Sequence, residues 1–532
     1  MPNAWRLPYA SRRAPVFARN LVATSQPLAA QAGIRTLLAG GNAVDAALAT
    51  AITLTIVEPS NNGIGSDAFA LIWDGRALHG LNASGRAPAG WTPERFAGRD
   101  AMPERGWDAV TVPGAVSAWV AASERFGALP FEDLFAPAIE YARDGFQVGP
   151  YTGLAWRLAE RSYADFPEFA SHFLPGGRSP RPGERFTAPD TAATLEEIAA
   201  TRGESFYRGA LAERIAAASA AAGGAMTADD LAAHRADWVE PVSQRYHDVR
   251  LHEIPPNGQG LAALIALGVL EHHDLAALPV DSVDSVHLQV EAMKVGWSEA
   301  ARHFGDPDSM ALSPGDFLEP GFLAARAAAI DPKRAAPLRS HLPTNPDTVY
   351  LTAADADGRM VSFIQSNYRG FGSGIVVPGT GIALQNRGSG FTLEPGHPNR
   401  VGPRKRPFHT IIPGFVTWSG GERDGEAAMS FGVMGGHMQA QGHVQMVVRV
   451  RDYDQNPQAA SDAPRWQVRE DGALRLEKGF DPDVIEGLRE RGHELVLENP
   501  PHVFGGAQLI TRVADGYCGA SDHRTEGLAI GL

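Results

Sequence analysis

The segment "NPDTVYLTAADADGRMVSFIQSN" (345–367) places a threonine where a proline-containing loop becomes a β-strand. Two runs rich in β-branched and aromatic residues flank "DADG" (355–358), a pattern typical of a β-hairpin. A three-residue loop with Gly358 in the left-handed conformation would pair Asp355 with Arg359. The sequence therefore predicts two adjacent antiparallel strands whose register can be counted outward from this turn.

That register places Thr352 opposite Ser362 and Thr348 opposite Ser366. Opposed side chains share one face of a hairpin, with Cβ atoms about 4.5–5.5 Å apart. One face is thus predicted to be a row of hydroxyl groups with Thr348 at its end. The other face carries apolar residues that suit a core: Val349, Leu351, Val361 and Phe363. Cross-strand pairs of threonine and serine also simply stabilise sheets, so the hairpin alone leaves the role of Thr348 open.

The composition excludes several classes of protein. With 532 residues, 44% of them hydrophobic, the chain can bury a large core. A formal charge of −14 argues against non-specific nucleic-acid binding. The N-terminal "MPNAWRLPYASRRAPVFARN" lacks the apolar core of a signal peptide, and no window approaches the roughly 18 apolar residues of a membrane span. We therefore expect a cytoplasmic protein that binds neither nucleic acid nor membrane.

Nothing in the sequence predicts a metal or another cofactor. Cys518 is the only cysteine, so no internal disulfide is expected. The histidine-containing stretches "EHHD" (271–274) and "GGHMQAQGH" (435–443) do not have a reliable zinc-ligand spacing.

The N-terminal part of the chain is alanine-rich and mainly helical in pattern. In "GNAVDAALATAITLTIVEP" (41–59), Asn42 suits an N-cap and Pro59 a stop, and the segment is apolar nearly all round, which predicts a buried helix. Further helices are predicted at 112–127, 131–146, 257–274 and 281–308.

From residue 348 onward, short β-branched runs alternate with glycine, proline and asparagine. Strands are predicted within 348–354, 360–366, 374–377, 381–386, 410–418 and 427–433, and helices within 442–454 and 482–493. Between the two parts, "DPKRAAPLRSHLPTNPD" (331–347) holds four prolines without periodicity and predicts a loop.

Nine segments in order carry a family resemblance: "GNAVDAALAT", "VPGAVSAWVAA", "PAIEYARDGF", "HLQVEAMKVGWSEAARHFGDPD", "FGSGIVVPGTGIALQN", "VGPRKRP", "GVMGG", "DAPRW" and "GASDHRT". On these segments, nearly the whole chain resembles the γ-glutamyltransferase (glutathione hydrolase) family of N-terminal-nucleophile hydrolases. Its uncharacterised glutathione hydrolase-like, oxamate amidohydrolase and cephalosporin acylase branches look closest. The resemblance implies an α+β fold, a four-layer αββα sandwich of two stacked sheets between helical layers.

The resemblance also implies a proenzyme that cuts itself between Asp347 and Thr348. The products would be a large chain, 1–347, and a small chain, 348–532, intertwined in one domain, and a homodimer of such pairs is a further expectation. A threonine hydroxyl needs a base to act as a nucleophile. Once Thr348 begins a chain, its own α-amine, which titrates at about 7.7–8.0, can serve as that base.

Three further catalytic positions carry over from the family. Ser366 matches a hydroxyl that assists the nucleophile, and Gly435 and Gly436 match the backbone N–H pair of the oxyanion hole. Glycine suits that task because no side chain obstructs the oxyanion. Taken alone, a glycine pair after a strand is more typical of an ordinary turn.

The substrate pocket departs from the family pattern. Where the family binds the α-amino group of a γ-glutamyl donor, this chain has Tyr368, Arg387 and Gly390. Two serines that help to bind the donor α-carboxylate are replaced by His409 and Thr410. No carboxylate remains to meet an ammonium group, and Arg387 would repel one.

The remaining cations predict a different donor. Arg86 lies within two positions of the family's carboxylate-binding arginine. Together with Arg387, His409 and Thr410 it suits an acyl group that ends in a carboxylate and lacks an amine. Alternatively, Arg387 forms an ion pair with a protein carboxylate such as Asp67 or Glu394.

The predicted function is therefore a Thr348-dependent amidohydrolase that acts, with water as acceptor, on a small carboxylate-bearing amide of the oxamate or glutaryl type. One alternative is a γ-glutamyl hydrolase or transpeptidase, acting on glutathione through a rebuilt pocket. An alternative of another class is an unprocessed, non-catalytic binding protein that keeps the fold.

Overall fold

The computed structural model describes residues 12–338, 347–497 and 500–532. Its strands are β1 (Val16–Ala18), β2 (Leu21–Thr24), β3 (Asp67–Trp73), β4 (Leu78–Asn82), β5 (Phe146–Gln147), β6 (Arg185–Phe186), β7 (Asp237–Val239), β8 (Val242–Tyr246), β9 (Val249–Glu253), β10 (Asp347–Ala354), β11 (Met360–Tyr368), β12 (Val376–Val377), β13 (Ile382–Ala383), β14 (Gly414–Trp418), β15 (Ala427–Val433), β16 (Trp466–Val468), β17 (Leu474–Leu476), β18 (Leu495–Val496), β19 (Ala507–Val513), β20 (Gly516–Ser521) and β21 (Leu528–Gly531).

The α-helices are α1 (Pro27–Leu38), α2 (Ala43–Val57), α3 (Ala115–Phe126), α4 (Ala136–Asp144), α5 (Pro150–Tyr163), α6 (Pro167–Phe173), α7 (Pro189–Thr201), α8 (Glu204–Arg208), α9 (Ala210–Ala221), α10 (Ala228–Ala233), α11 (Gly260–Leu270), α12 (Val283–His303), α13 (Pro314–Phe317), α14 (Pro320–Ala328), α15 (Met438–Arg451), α16 (Pro457–Asp462) and α17 (Pro482–Glu490). The helices and strands predicted from the sequence all have counterparts here.

Two seven-stranded sheets form the centre of the molecule, with strand orders β1-β20-β19-β15-β14-β9-β8 and β21-β2-β10-β11-β3-β4-β7. Apolar residues of both sheets share one core between them, among them Phe69, Tyr350, Ile364, Phe415 and Ile510. The outer face of the second sheet packs on α1, α2 and α3, and that of the first packs on α11, α15 and α16. The predicted α+β sandwich of two sheets between helical layers is confirmed.

Helix α2 shows how the sequence determines this layering. Asn42 caps the helix as predicted: its side chain accepts from the N–H groups of Val44 and Asp45, while the Asp45 carboxylate accepts from the Asn42 N–H. All 15 residues of α2 are buried, in agreement with its apolar pattern. This helix packs against β10 and β11 and so supports the hairpin that carries Thr348.

The β10–β11 hairpin has the predicted turn and register. Asp355 N donates to Arg359 O, Gly358 has φ +91°, and Thr352 lies opposite Ser362. Both faces are buried: the predicted apolar face packs under α2, and the hydroxyl face points into the core between the sheets. The loop predicted at 331–347 ends one residue earlier, because β10 begins at Asp347, and its residues 339–346 lie outside the described part.

Candidate active site

Thr348 is the second residue of β10, and its side chain contacts the neighbouring strand β11. Its Oγ1 donates to Ser366 Oγ at 3.2 Å, and Ser366 Oγ accepts from Tyr368 N at 2.8 Å. The register shifts between Asp347 and Val349, so that Asp347 rather than Thr348 has a backbone partner, Tyr368, on β11. Thr348 is only 1% exposed and Ser366 is fully buried. The side-chain pairing expected from the count along the hairpin is present despite this bulge.

Gln439, in the first turn of α15, is a site residue that sequence reasoning missed. Its Nε2 donates to Thr348 Oγ1 at 3.4 Å, and its Oε1 accepts from Ile412 N at 3.0 Å. The second bond fixes the orientation of the amide, so that the N–H side faces the threonine. The available signal was its place three residues after the glycine pair, in "GGHMQ".

The Gly435–Gly436 turn connects β15 to α15 and requires glycine. Both residues have positive φ, +112° and +60°, and a Cβ on Gly435 would lie 2.9 Å from Gly505 Cα. Gln259 Nε2 donates to Gly436 O at 2.8 Å, which anchors the turn. Among the described residues, no hydrogen-bond acceptor contacts the N–H group of either glycine. The turn therefore presents two unengaged backbone donors one helical turn before Gln439.

Arg387 is a fully buried cation with unused hydrogen-bonding capacity. Its NH1 donates to Thr410 Oγ1 at 2.7 Å, and its guanidinium lies 4.0 Å from the centroid of the Tyr368 ring. Within the described part of the chain, its Nε and NH2 atoms have no hydrogen-bond partner, and it forms no ion pair. The ion-pair alternative with Asp67 or Glu394 is therefore wrong. Burial lowers the pKa of Arg387 to about 10, so the group still carries its charge near neutral pH.

Asp67 and His409 form a second buried polar pair in this region. Asp67 Oδ1 accepts from the N–H groups of Gly85 and Gly114, each at 3.1 Å, and its Oδ2 lies 3.1 Å from His409 Nε2. Burial raises the pKa of Asp67 to about 7, against the opposing effect of Arg387 and the two backbone donors. Burial also lowers the pKa of His409 well below its ordinary value. His409 is therefore a neutral imidazole.

The predicted pocket residues fall into one cluster and one outlier. Arg387 contacts both Tyr368 and Thr410. His409 directly precedes Thr410 in the chain, and Gly390 is the last residue of the short 3₁₀ helix that begins at Arg387. A Cβ at Gly390 would lie 3.0 Å from Phe408 O, so this close approach favours glycine.

Arg86 lies apart from this cluster. Its side chain is 41% exposed, its NH1 donates to Arg404 O at 3.1 Å, and it lies 3.6 Å from Asp306. It borders a cavity of about 270 Å³ that Arg235, Arg404 and Asp237 also line. Its assignment to the pocket stays a prediction.

One group of side chains has metal-ligand chemistry: His287, Glu291 and His493, whose ligand atoms lie within 4.8 Å of one another. Apart from His493 Nδ1, which has no hydrogen-bond partner among the described residues, their nitrogen and oxygen atoms are already engaged. His287 contacts His493 at 2.8 Å and Asp331 O at 2.9 Å, and Glu291 accepts from Lys294 Nζ at 2.8 Å. The buried ammonium group of Lys294 already balances the charge of Glu291, so this group fits a hydrogen-bonded cluster better than a metal site.

Among the helices of the described residues, none combines the length and apolar character that crossing a bilayer requires.

Comparisons with known proteins agree on one family. The protein-family model described as "Gamma-glutamyltranspeptidase" matches residues 29–532 of this chain. The chain is 36% identical to the "Glutathione hydrolase-like YwrD proenzyme" of Bacillus subtilis, over 97% of this chain and 98% of the relative. It is 37% identical to the "Oxamate amidohydrolase proenzyme" of Klebsiella pneumoniae, over 95% and 97% respectively.

Among solved structures, the chain is similar to a cephalosporin acylase from Bacillus halodurans. The two share 45% identity and a TM-score of 0.95, with 100% of this chain and 99% of the acylase chain covered.

Proposed function

Because the chain belongs to the gamma-glutamyltranspeptidase family, we propose that it is a self-processing amidohydrolase for small amides. The acyl group of these amides carries a free carboxylate in addition to the amide carbonyl. The match over residues 29–532 confirms the predicted family and, with it, an enzyme of the amide-bond hydrolase and transferase type. The specific donor and the roles of individual residues are the content of the proposal.

Thr348 is the proposed nucleophile, in two successive reactions. In the precursor, its Oγ1 attacks the carbonyl carbon of Asp347, and the C–N bond between Asp347 and Thr348 breaks, which forms an ester and frees the α-amine of Thr348. Water then hydrolyses this ester, which separates the two chains and restores the Thr348 hydroxyl. In the mature protein this amine accepts the hydroxyl proton as Oγ1 attacks the substrate amide, and returns it to the nitrogen that leaves. Water then cleaves the acyl-enzyme ester by the same route. The hydrogen bonds of Thr348 with Ser366 and Gln439 support this assignment, because they hold Oγ1 in one orientation.

The N–H groups of Gly435 and Gly436 are the proposed oxyanion donors. Negative charge develops on the carbonyl oxygen when the tetrahedral intermediate forms, and oriented backbone donors stabilise that charge. Support comes from the absence of any other described acceptor for these two groups and from Gln259, which holds the turn in place.

The observation that carries the donor specificity is the pair of unpartnered nitrogens on Arg387. A buried donor without an acceptor costs about 1–3 kcal/mol, and more for a charged group, so native structures rarely leave one unmatched. A donor carboxylate would accept from both nitrogens in the bidentate geometry that guanidinium favours. An α-ammonium group at this place would be repelled by the same charge.

Two donor types meet these requirements. Oxamate carries its carboxylate directly on the amide carbon, whereas a glutaryl amide carries it three methylene groups away. The proposal covers both, with water as the acceptor. One relative is named an oxamate amidohydrolase and another an acylase, which supports the class without selecting within it.

The test is a comparison of kcat/KM on processed protein for oxamate, a glutaryl amide, the matched γ-glutamyl amide and a neutral amide of the same length. We expect a carboxylate donor without an α-amine to be preferred. A clear preference for the γ-glutamyl amide would instead support the γ-glutamyl hydrolase alternative. A single full-length band on a denaturing gel, with no hydrolysis of any donor, would support the non-catalytic binding protein.

A further inference from the structure

Asp67 lies in one row with Thr348 and Ser366, which are proposed to take part in the reaction. It is the Cα partner of Ser366 in the β3–β11 pairing, and Ser366 in turn contacts Thr348. Opposed side chains on neighbouring strands share one face. Thr348, Ser366 and Asp67 thus form a row across three adjacent strands, facing the core between the sheets.

Asp67 is also connected to the proposed donor site. Its Oδ2 contacts His409 Nε2 at 3.1 Å, His409 is followed directly by Thr410, and Thr410 Oγ1 accepts from Arg387 NH1 at 2.7 Å. Asp67 and Arg387 do not touch, yet the carboxylate and the guanidinium act on each other's charge through a fully buried region. Screening by water is weak there, so such interactions extend beyond direct contact.

We propose that Asp67 is a specificity-determining residue that tunes the affinity of Arg387 for a donor carboxylate and takes up a proton when that carboxylate binds. The proposal rests on the proposed function. In the empty site, the negative charge of Asp67 balances part of the positive charge of Arg387. A bound donor adds a second carboxylate beside the same guanidinium, and protonation of Asp67 relieves the repulsion between the two anions.

The groups around Asp67 make this proton uptake feasible. The charged or titratable groups that face it from neighbouring elements are His409, Arg387, Arg406 and Tyr207. Burial raises the pKa of Asp67 to about 7, whereas burial keeps His409 and Tyr207 neutral at that pH, so Asp67 is the side chain of this group that titrates there. Its contact with His409 survives in both states, because a neutral imidazole can donate or accept at Nε2.

Binding of an anion near Arg387 raises the pKa of Asp67 further, so binding is favoured when Asp67 is already protonated. KM for a carboxylate donor should therefore rise as pH increases from about 6.5 to about 8.5. We expect this increase in KM to be several-fold. Its upper limit is roughly tenfold if binding raises the pKa of Asp67 by one unit. The KM of a neutral amide of equal length should stay flat.

The first experiment measures these KM profiles for the processed wild-type protein and for Asp67→Asn. Asparagine keeps an oxygen for the N–H groups of Gly85 and Gly114 and can donate to His409. In this variant, KM for the carboxylate donor should be low and independent of pH, about tenfold below wild type at pH 8.5. Asp452→Asn is the matched control. Burial also raises the pKa of the Asp452 carboxyl, but Asp452 follows the last residue of α15, whereas Gln439 lies in the first turn of that helix.

A second measurement does not depend on the variant. Calorimetric titration of the wild-type protein with glutarate, in two buffers of different ionisation enthalpy at about pH 7.5, should show proton uptake on binding. No uptake, or a wild-type KM that is equally flat for charged and neutral donors, overturns the role of Asp67. If carboxylate donors are still preferred, the proposed function survives that result. If they are not preferred at all, the proposed function itself fails.

Discussion

The region around Thr348 and the region around Arg387 are built differently, although they lie in one site. The first depends on backbone geometry: a hairpin register, a bulge at the start of β10 and a glycine turn with positive φ. The second depends on buried charges that are brought together by distant segments, such as Asp67 and His409. Backbone geometry can hold a reaction constant while side-chain charge changes its substrate. We infer that reaction and substrate preference are separable in this molecule, and four substitutions test this.

Thr348→Ala should have the largest effect. The chain should fold but remain uncut, and amidase activity should fall by at least about 1,000-fold for every donor, because no nucleophile remains. Denaturing gels, N-terminal sequencing and donor assays measure this. Thr352→Ala, on the same face of β10, is the control and should still be processed. A Thr348→Ala protein that is cut before residue 348 would rule out self-cleavage by this hydroxyl.

Arg387→Ala should have the next largest effect, and only on charged donors. Loss of the charge-assisted hydrogen bonds should lower kcat/KM for a carboxylate donor by about 10- to 150-fold, or about 1.5–3 kcal/mol. The neutral amide of equal length should change little, and processing should be normal. An equal loss for both donors would mean that Arg387 supports the fold or the chemistry rather than specificity.

Ser366→Ala should slow processing and turnover together, by about tenfold, and equally for all donors. The variant removes the acceptor of the Thr348 hydroxyl, and a neutral hydrogen bond contributes about 0.5–1.5 kcal/mol. The measurements are the rate of chain cleavage and kcat on the processed fraction. Unchanged rates would remove Ser366 from the mechanism, and a donor-dependent effect would break the separation between the two regions.

Arg86→Ala should have the smallest effect. Its side chain is 41% exposed and borders a cavity that Arg235, Arg404 and Asp237 also line, so kcat/KM for a carboxylate donor should fall by no more than about threefold. The same donor panel used for Arg387→Ala measures this. A loss as large as that of Arg387→Ala would return Arg86 to the donor site and show that the two arginines act together.

The parts that could be predicted from the sequence depend on short-range patterns. The turn at Gly358 and the alternation along each strand set the hairpin register, and the capping residues and apolar pattern of 41–59 set α2. The family resemblance supplied the layering of the sheets, because many weak local matches in order are jointly specific.

The parts that could not be predicted depend on contacts between distant residues. Asp67 and His409 are 342 positions apart, and Gln259 reaches Gly436 across 177 positions. Asp67 was one predicted ion-pair partner of Arg387, but its carboxylate contacts His409 instead. The sequence had predicted His409 as a residue that binds the donor carboxylate. No local pattern distinguishes these outcomes, because burial and the competition between partners are set only by the folded chain.

The position of β10 in its sheet has a consequence for solubility. Strand β10 pairs with β2 on one side and with β11 on the other, and the sheet ends at β21 and β7. A strand edge with unpaired backbone groups is a template for aggregation. Cleavage before Thr348 would create two new chain ends at the start of β10, whose residues from Leu351 to Ala354 are paired on both sides. The residues of β10 that have two strand partners would keep both in the processed protein, so we expect maturation to leave its tendency to edge-to-edge association unchanged.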